Sequence, residues 1–257
     1  MTQSLHGRHA LVTGAARGIG AAIARALAEE GARLTLLGRN REALAALAKA
    51  LPGEGHGFVL ADVASEDQVR AAFQQARAAR GPIAILVNNA GQAESSPFGK
   101  TTLELWQRML NVNLTGSFLC AQAALSDLLA SGHGRIVNIA STAAQRGYAY
   151  VSAYVAAKHG VLGLTRSLAL ELAKKNVTVN AVCPGYTETD ILRESIANVV
   201  AKTGRSEEQA RAEFASGNPQ GRIVQPQEVA DAVRWLCGDG ASAITGQAIS
   251  VSGGEVM

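Results

Sequence analysis

The chain has 257 residues, 47% of them apolar, and a formal net charge of +3. That apolar share supports a sizeable core, and the length fits one α/β domain. The small charge, without any long run of like charges, excludes a nucleic-acid-binding role. Aromatic residues make up only 4%, so the core must rest on Ala, Leu, Val and Ile. Cys120, Cys183 and Cys237 lie far apart and form no C-x-x-C, which reads as buried thiols in a reducing compartment. The histidines show no metal-ligand spacing, so no metal is expected. A strand-like run begins near His9 and no apolar stretch of about 18 residues occurs. The expectation is a soluble, cytoplasmic protein that uses no membrane.

Short β-branched runs alternate with longer helical patterns along the chain. Residues 9–14 read as a strand and its exit, 19–32 as a helix ending at Gly31, and 33–38 as a second strand. A helix over 41–51 leads to a strand over 57–63. Ser65 is a helix N-cap for residues 65–79, with acids in the first turn. Residues 84–91 form a strand, 103–129 one long helix, 134–141 a strand and 152–175 a helix. A strand over 177–185 follows. After it, residues 186–224 exceed the usual connection of about 2–6 residues. This stretch is polar and contains two helical patterns, 189–202 and 206–214. A helix over 226–237, with Pro near N1, and a strand over 248–254 complete the chain.

This alternation predicts an α/β fold: a parallel sheet with helices on both faces, in a single domain over 1–257. An insertion at the C-terminal edge of a strand lies where open α/β sheets bind ligands, so 186–224 reads as a lid over the substrate. Between the first strand and first helix stands TGAARGIG (13–20). Gly14, Gly18 and Gly20 permit a tight turn and close approach of a pyrophosphate to backbone N–H groups. Their spacing is G-x-x-x-G-x-G. Tyr154 and Lys158 are four residues apart on a helix, so they share one face. Only Val155, Ala156 and Ala157 separate them, which leaves room for other groups to approach.

TGAARGIG, NNAG (88–91), NVNLTGSF (111–118), Ser141, YVAAK (154–158) and PGYTET (184–189) occur in the order of the short-chain dehydrogenase/reductase family. The chain resembles that family over essentially its whole length. The resemblance implies a Rossmann-type doubly wound domain with a seven-stranded parallel sheet, commonly assembled as a homotetramer. It also implies hydride transfer between a nicotinamide and a ketone or alcohol. Tyr154 would be the general acid/base, and Lys158 would lower its pKa and hold the nicotinamide ribose. Ser141 would hydrogen-bond the substrate oxygen. Asn113 would hold a water beside Lys158; Asn111 competes for that role but lacks the following LTG.

By the same resemblance, Gly14, Gly18, Ile19 and Gly20 would meet the pyrophosphate, and Asp62 and Val63 would border the adenine. Asn89, Ala90 and Gly91 would run under the adenosine ribose. Pro184, Gly185, Thr187 and Thr189 would fix the nicotinamide carboxamide, with Thr187 in place of the usual aliphatic residue. The second strand ends LLGRN, with Gly38 where an NAD-selecting acid would stand. Arg39 and Arg17 would meet a 2′-phosphate, so NADP is expected ahead of NAD. The pattern is similar to 3-oxoacyl reductases and 3-hydroxyacyl dehydrogenases. Other small ketones or alcohols, or a non-catalytic nucleotide sensor, are the alternatives. Arg193, Lys202, Arg205 and Arg211 on the lid, with Arg146 and Arg222 on the rim, would either meet a carrier phosphate or pair with Glu194, Glu207, Glu208 and Glu213.

Overall fold

The computed structural model describes residues 4–257. Seven strands form one sheet: β1 (His9–Thr13), β2 (Arg33–Gly38), β3 (Gly57–Leu60), β4 (Ile85–Asn88), β5 (Arg135–Ile139), β6 (Thr178–Pro184) and β7 (Ala248–Val251). Their order is β3-β2-β1-β4-β5-β6-β7, and every pairing is parallel. The helices are α1 (Gly18–Glu29), α2 (Arg41–Ala50), α3 (Glu66–Arg80), α4 (Leu103–Leu110), α5 (Gly116–Ala130), α6 (Ser152–Leu172), α7 (Asp190–Thr203), α8 (Glu207–Ser216) and α9 (Pro226–Cys237).

Side chains alternate across a strand, and both faces of this sheet are covered. Ala10, Val12, Leu34 and Leu36 meet Ile23 and Leu27 of α1, Leu44 of α2 and Val233 of α9. Leu11, Leu37, Leu86 and Ile136 meet Phe73 of α3, Leu128 of α5 and Leu172 of α6. That two-sided burial is why the strands are continuous apolar runs in sequence. Ser65 caps α3 as expected, accepting from Gln68 N.

The order reverses between β1 and β4, which opens a crevice at their C-terminal ends. The Thr13 hydroxyl joins the two strands there, accepting from Asn89 N (3.0 Å) and Ala90 N (2.9 Å). The 186–224 insertion contains α7 and α8. Its two ends are tied: Thr187 pairs with Val224, and Val224 N donates to Tyr186 O at 3.0 Å. Between them Leu192, Ile196, Ala210 and Ile223 form an apolar cluster separate from the main core.

One expectation needs correction. Residues 103–129 are not one α-helix, because a π-helical turn, Asn111–Thr115, separates α4 from α5. The extra residue changes the buried face: α4 turns Leu105 and Met109 toward Ala153, whereas α5 turns Leu119, Cys120 and Leu128 into the core under the sheet.

Candidate active site

The Gly-rich turn enters α1 at the crevice. Gly14 and Gly18 have φ of +62 and +56, backbone conformations that L side chains rarely adopt. A Cβ on Gly14 would stand 2.8 Å from Ala90 Cα, and one on Gly20 would stand 2.4 Å from the Gly14 carbonyl oxygen and 2.5 Å from Asn89 Nδ2. These two glycines therefore let the turn press against the exit of β4. Asn89 Nδ2 closes the seam by donating to Thr13 O (2.9 Å) and Gly14 O (3.1 Å). The first turn of α1, which includes Ile19, has no side-chain cap and no acid. Its open N–H groups, at the positive end of the helix dipole, suit a pyrophosphate. The residues present thus fit a dinucleotide.

Gly38 ends β2. A Cβ there would meet only Leu44 side-chain carbons, at 3.5 Å or more, so packing does not demand glycine at this position. Arg39 is 78% exposed, with Nη1 3.6 Å from Asp62 Oδ2. Asp62 Oδ1 accepts from Ala64 N. The Val63 side chain is buried, close against Gly116 at the start of α5, where an added Cβ would come within 2.8 Å of it. Arg17 donates to Asp190 at the start of α7, at 3.0 Å. An added Cβ on Gly18 would stand 3.2 Å from the Thr189 methyl. The start of the insertion therefore rests on the Gly-rich turn, and Arg17 is bound to it rather than to Arg39's surroundings.

Past β6, Gly185 N donates to Val251 O at 3.1 Å, which fixes the segment after Pro184. Thr187 is buried and its hydroxyl donates to Gly185 O (3.0 Å). Thr189 likewise donates to Thr187 O (3.2 Å). Both hydroxyls turn back on their own chain.

Ser141 follows β5 and caps a short 3-10 turn, accepting from Ala143 N at 3.1 Å. Tyr154 and Lys158 lie one turn apart on α6, with Lys158 Nζ 5.6 Å from the Tyr154 ring centroid. Lys158 is 4% exposed and donates to Ile139 O at 2.8 Å. Asn113 sits in the π-turn, a feature common at functional sites. Its amide donates to Gln92 O (3.0 Å) and Met109 O (2.9 Å), and Oδ1 accepts from Gln92 N (3.2 Å). Gly91 is the meeting point: an added Cβ would be 2.8 Å from Asn113 Oδ1 and 3.6 Å from Lys158 Nζ. The Asn113 side chain is thus engaged by protein on all three contacts and positions the π-turn against the β4 exit.

Burial pushes Lys158 down to about 8. Tyr154 is raised, because burial outweighs the lowering from the Ser141 side chain. Lys158 is not among the groups that shift Tyr154 here. The ammonium lies over the ring and is bonded to Ile139 O, away from a direct contact with the phenol oxygen.

Several residues at the cleft are assigned no role by the motifs. Tyr148 donates to Glu255 and its hydroxyl stands 2.7 Å from Thr142 Oγ1. Tyr148 and Tyr186 meet edge-on at 6.5 Å, and Tyr186 meets Phe214 of α8 at 4.8 Å. Gln92 Nε2 is buried without a partner beside Asn113. Two surface depressions, one between α3 and α5 and one against α8, contain none of these catalytic candidates. Among the described residues no metal-binding cluster occurs and no helix is long and apolar enough to cross a membrane.

A doubly wound sheet with a dinucleotide cradle and a Ser–Tyr–Lys constellation at its C-terminal edge defines a nicotinamide-dependent oxidoreductase. A family profile described as enoyl-(acyl carrier protein) reductase matches residues 14–255. The chain belongs to the short-chain dehydrogenase/reductase family. It is 41% identical to a cis-4-hydroxycyclohexanecarboxylate dehydrogenase of Sinomonas cyclohexanicum, over 99% of this chain and 98% of that one. It is 39% identical to the 3-oxoacyl-(acyl-carrier-protein) reductase of Aquifex aeolicus, over 99% of both. Among solved structures it is similar to a substituted actinorhodin polyketide ketoreductase with NADPH, at TM-score 0.92 and 40% identity, over 96% of this chain and 97% of that one.

Proposed function

We propose that the protein is an NADP-preferring ketone reductase or alcohol dehydrogenase acting on 3-oxoacyl or 3-hydroxyacyl groups. The observation that carries the reading is the convergence of Lys158 and Asn113 on Gly91, with Tyr154 one turn from Lys158, and Lys158 bonded to Ile139 O two residues before Ser141. The relatives named as 3-oxoacyl and polyketide ketoreductases support the substrate class. When bound, the nicotinamide supplies or accepts the hydride. In the reducing direction Tyr154 gives its proton to the carbonyl oxygen, and the Ser141 hydroxyl donates a hydrogen bond to the same oxygen. Lys158, near 8 and buried, is poised to exchange a proton near neutral pH. Asn113 keeps the π-turn in register with Gly91. For the adenosine end, Gly38 offers no acid and Arg39 stands exposed beside it, which supports NADP over NAD.

The chain acts as one domain with 186–224 as a lid, assembled as a homotetramer. Exposed Leu103 and Phe118, on α4 and α5, support self-association. Three buried, unpaired cysteines support a cytoplasmic setting. The test follows reduced-nicotinamide absorbance with a panel of ketones and alcohols, for wild type and Tyr154→Phe. Turnover of a 3-oxoacyl thioester should fall by about 10²–10⁴ in the variant, with cofactor affinity nearly unchanged. Near-normal turnover in Tyr154→Phe would remove Tyr154 from its role. Light scattering checks the tetramer.

A further inference from the structure

The structure sorts the basic residues of the lid and rim. Arg193 pairs with Asp190, Arg205 with Glu213, Arg211 with Glu188 and Arg222 with Glu228. Each already has a carboxylate. Lys202 lies in the last turn of α7, where a cation complements the helix dipole. Arg146 alone of this set has neither kind of partner among the described residues.

Its setting is different as well. Arg146 lies on the loop between Ser141 and Tyr154, exposed, with its guanidinium 4.9 Å from the Tyr148 ring centroid. The Tyr148 hydroxyl is held by Thr142 and Glu255, so the ring is a fixed platform. A guanidinium stacked on a ring face keeps its N–H edge free. Glu255 accepts from Tyr148, and among the described residues Arg146 forms no ion pair with it. The platform adjoins the cleft: the Tyr148 hydroxyl stands 2.7 Å from Oγ1 of Thr142, the residue after Ser141, and the Tyr148 ring meets Tyr186. Tyr186 and Phe214 add an apolar wall beside it.

We propose that Arg146, stacked on Tyr148, is a specificity-determining residue that binds an anionic group of the substrate, a carboxylate or a phosphate, through its planar fork. The chemistry is a bidentate charged hydrogen bond. With the Ser141–Tyr154 pair on the ketone oxygen, it gives the substrate a second anchor. The inference rests on the 3-oxoacyl reading above and narrows it to substrates with a negative charge beyond the ketone.

The test compares wild type with Arg146→Ala on four ketones: acetoacetate, methyl acetoacetate, acetoacetyl-CoA and the neutral N-acetylcysteamine thioester. A lost charged hydrogen bond should lower kcat/KM by roughly 10–150-fold, mainly through KM. If the anion is the carboxylate, acetoacetate suffers that loss and its ester changes less than about threefold. If it is a phosphate, acetoacetyl-CoA suffers it and the neutral thioester does not. Equal loss on charged and neutral members of both pairs, or loss on neither anionic ketone, overturns the proposal. Should the wild type reduce none of the four, the 3-oxoacyl reading fails. Calorimetry of acetoacetate and of CoA binding then decides the anion site alone: weakening in Arg146→Ala supports it, and unchanged binding, or no binding to wild type, overturns it.

Discussion

Arg39→Ala tests the cofactor assignment through a single exposed contact. In the structure the Arg39 guanidinium is 78% exposed and its carboxylate neighbour, Asp62, is 3.6 Å away. An exposed pair of that kind contributes about 0–1 kcal/mol. A charged hydrogen bond to a 2′-phosphate contributes roughly 1.5–3 kcal/mol. Leaving Asp62 for the phosphate therefore yields a net gain of about 0.5–3 kcal/mol, or about 2–150-fold in Kd. Fluorescence titration of NADPH and NADH should give that loss for NADPH alone, and it should shrink at high salt. Gly38→Asp is the complement. The glycine is not needed for packing, so the variant should fold, repel the phosphate and turn the preference toward NADH. If Arg39→Ala weakens both cofactors equally and Gly38→Asp leaves the preference unchanged, the end of β2 does not select the cofactor.

Two further predictions concern the scaffold. The lid's small apolar cluster is separate from the sheet core, so amides in α7 and α8 should exchange faster than those of β5, and substrate plus cofactor should slow them; equal protection without ligand would make 186–224 part of the core. His9 is buried, with Nδ1 donating to Gly81 O and Nε2 accepting from Thr35 Oγ1, and burial lowers its pKa below the usual 6.5. Its unfolded form therefore binds more protons as pH falls below about 6.5, so the stability held at neutral pH is lost toward acid. Thermal unfolding between pH 7 and pH 5 should show a smaller decline in His9→Gln than in wild type, and an identical decline would clear His9 of that role.

Much of this was readable in advance because the signals are local. Seven apolar runs became the seven strands, and the two helical patterns in the long insertion became α7 and α8. Several apolar runs extend past the strands they form: 57–63 contains β3, Gly57–Leu60, and 84–91 contains β4, Ile85–Asn88. The surplus residues, Asp62, Asn89 and Gly91 among them, are those that leave the sheet to build the crevice. The π-turn escaped notice because Asn111–Thr115 has no composition that distinguishes it from α-helix. Arg17's bond to Asp190 joins residues 173 apart, and Tyr148's bond to Glu255 spans 107. No periodicity reports such pairings; only the folded chain brings them together.

The π-turn also bears on how this site can change over generations. An α-helix advances about 100° per residue. Removing the surplus residue between 111 and 115 would rotate either Leu105 and Met109, or Leu119 and Leu128, by that angle from the partners they now bury against. A straightened helix would fail as a folding unit before its altered Asn113 was ever presented to a substrate. Selection for a stable scaffold thus preserves the bulge even where selection on activity is relaxed, and a chain that lost its reaction would be expected to keep the bend.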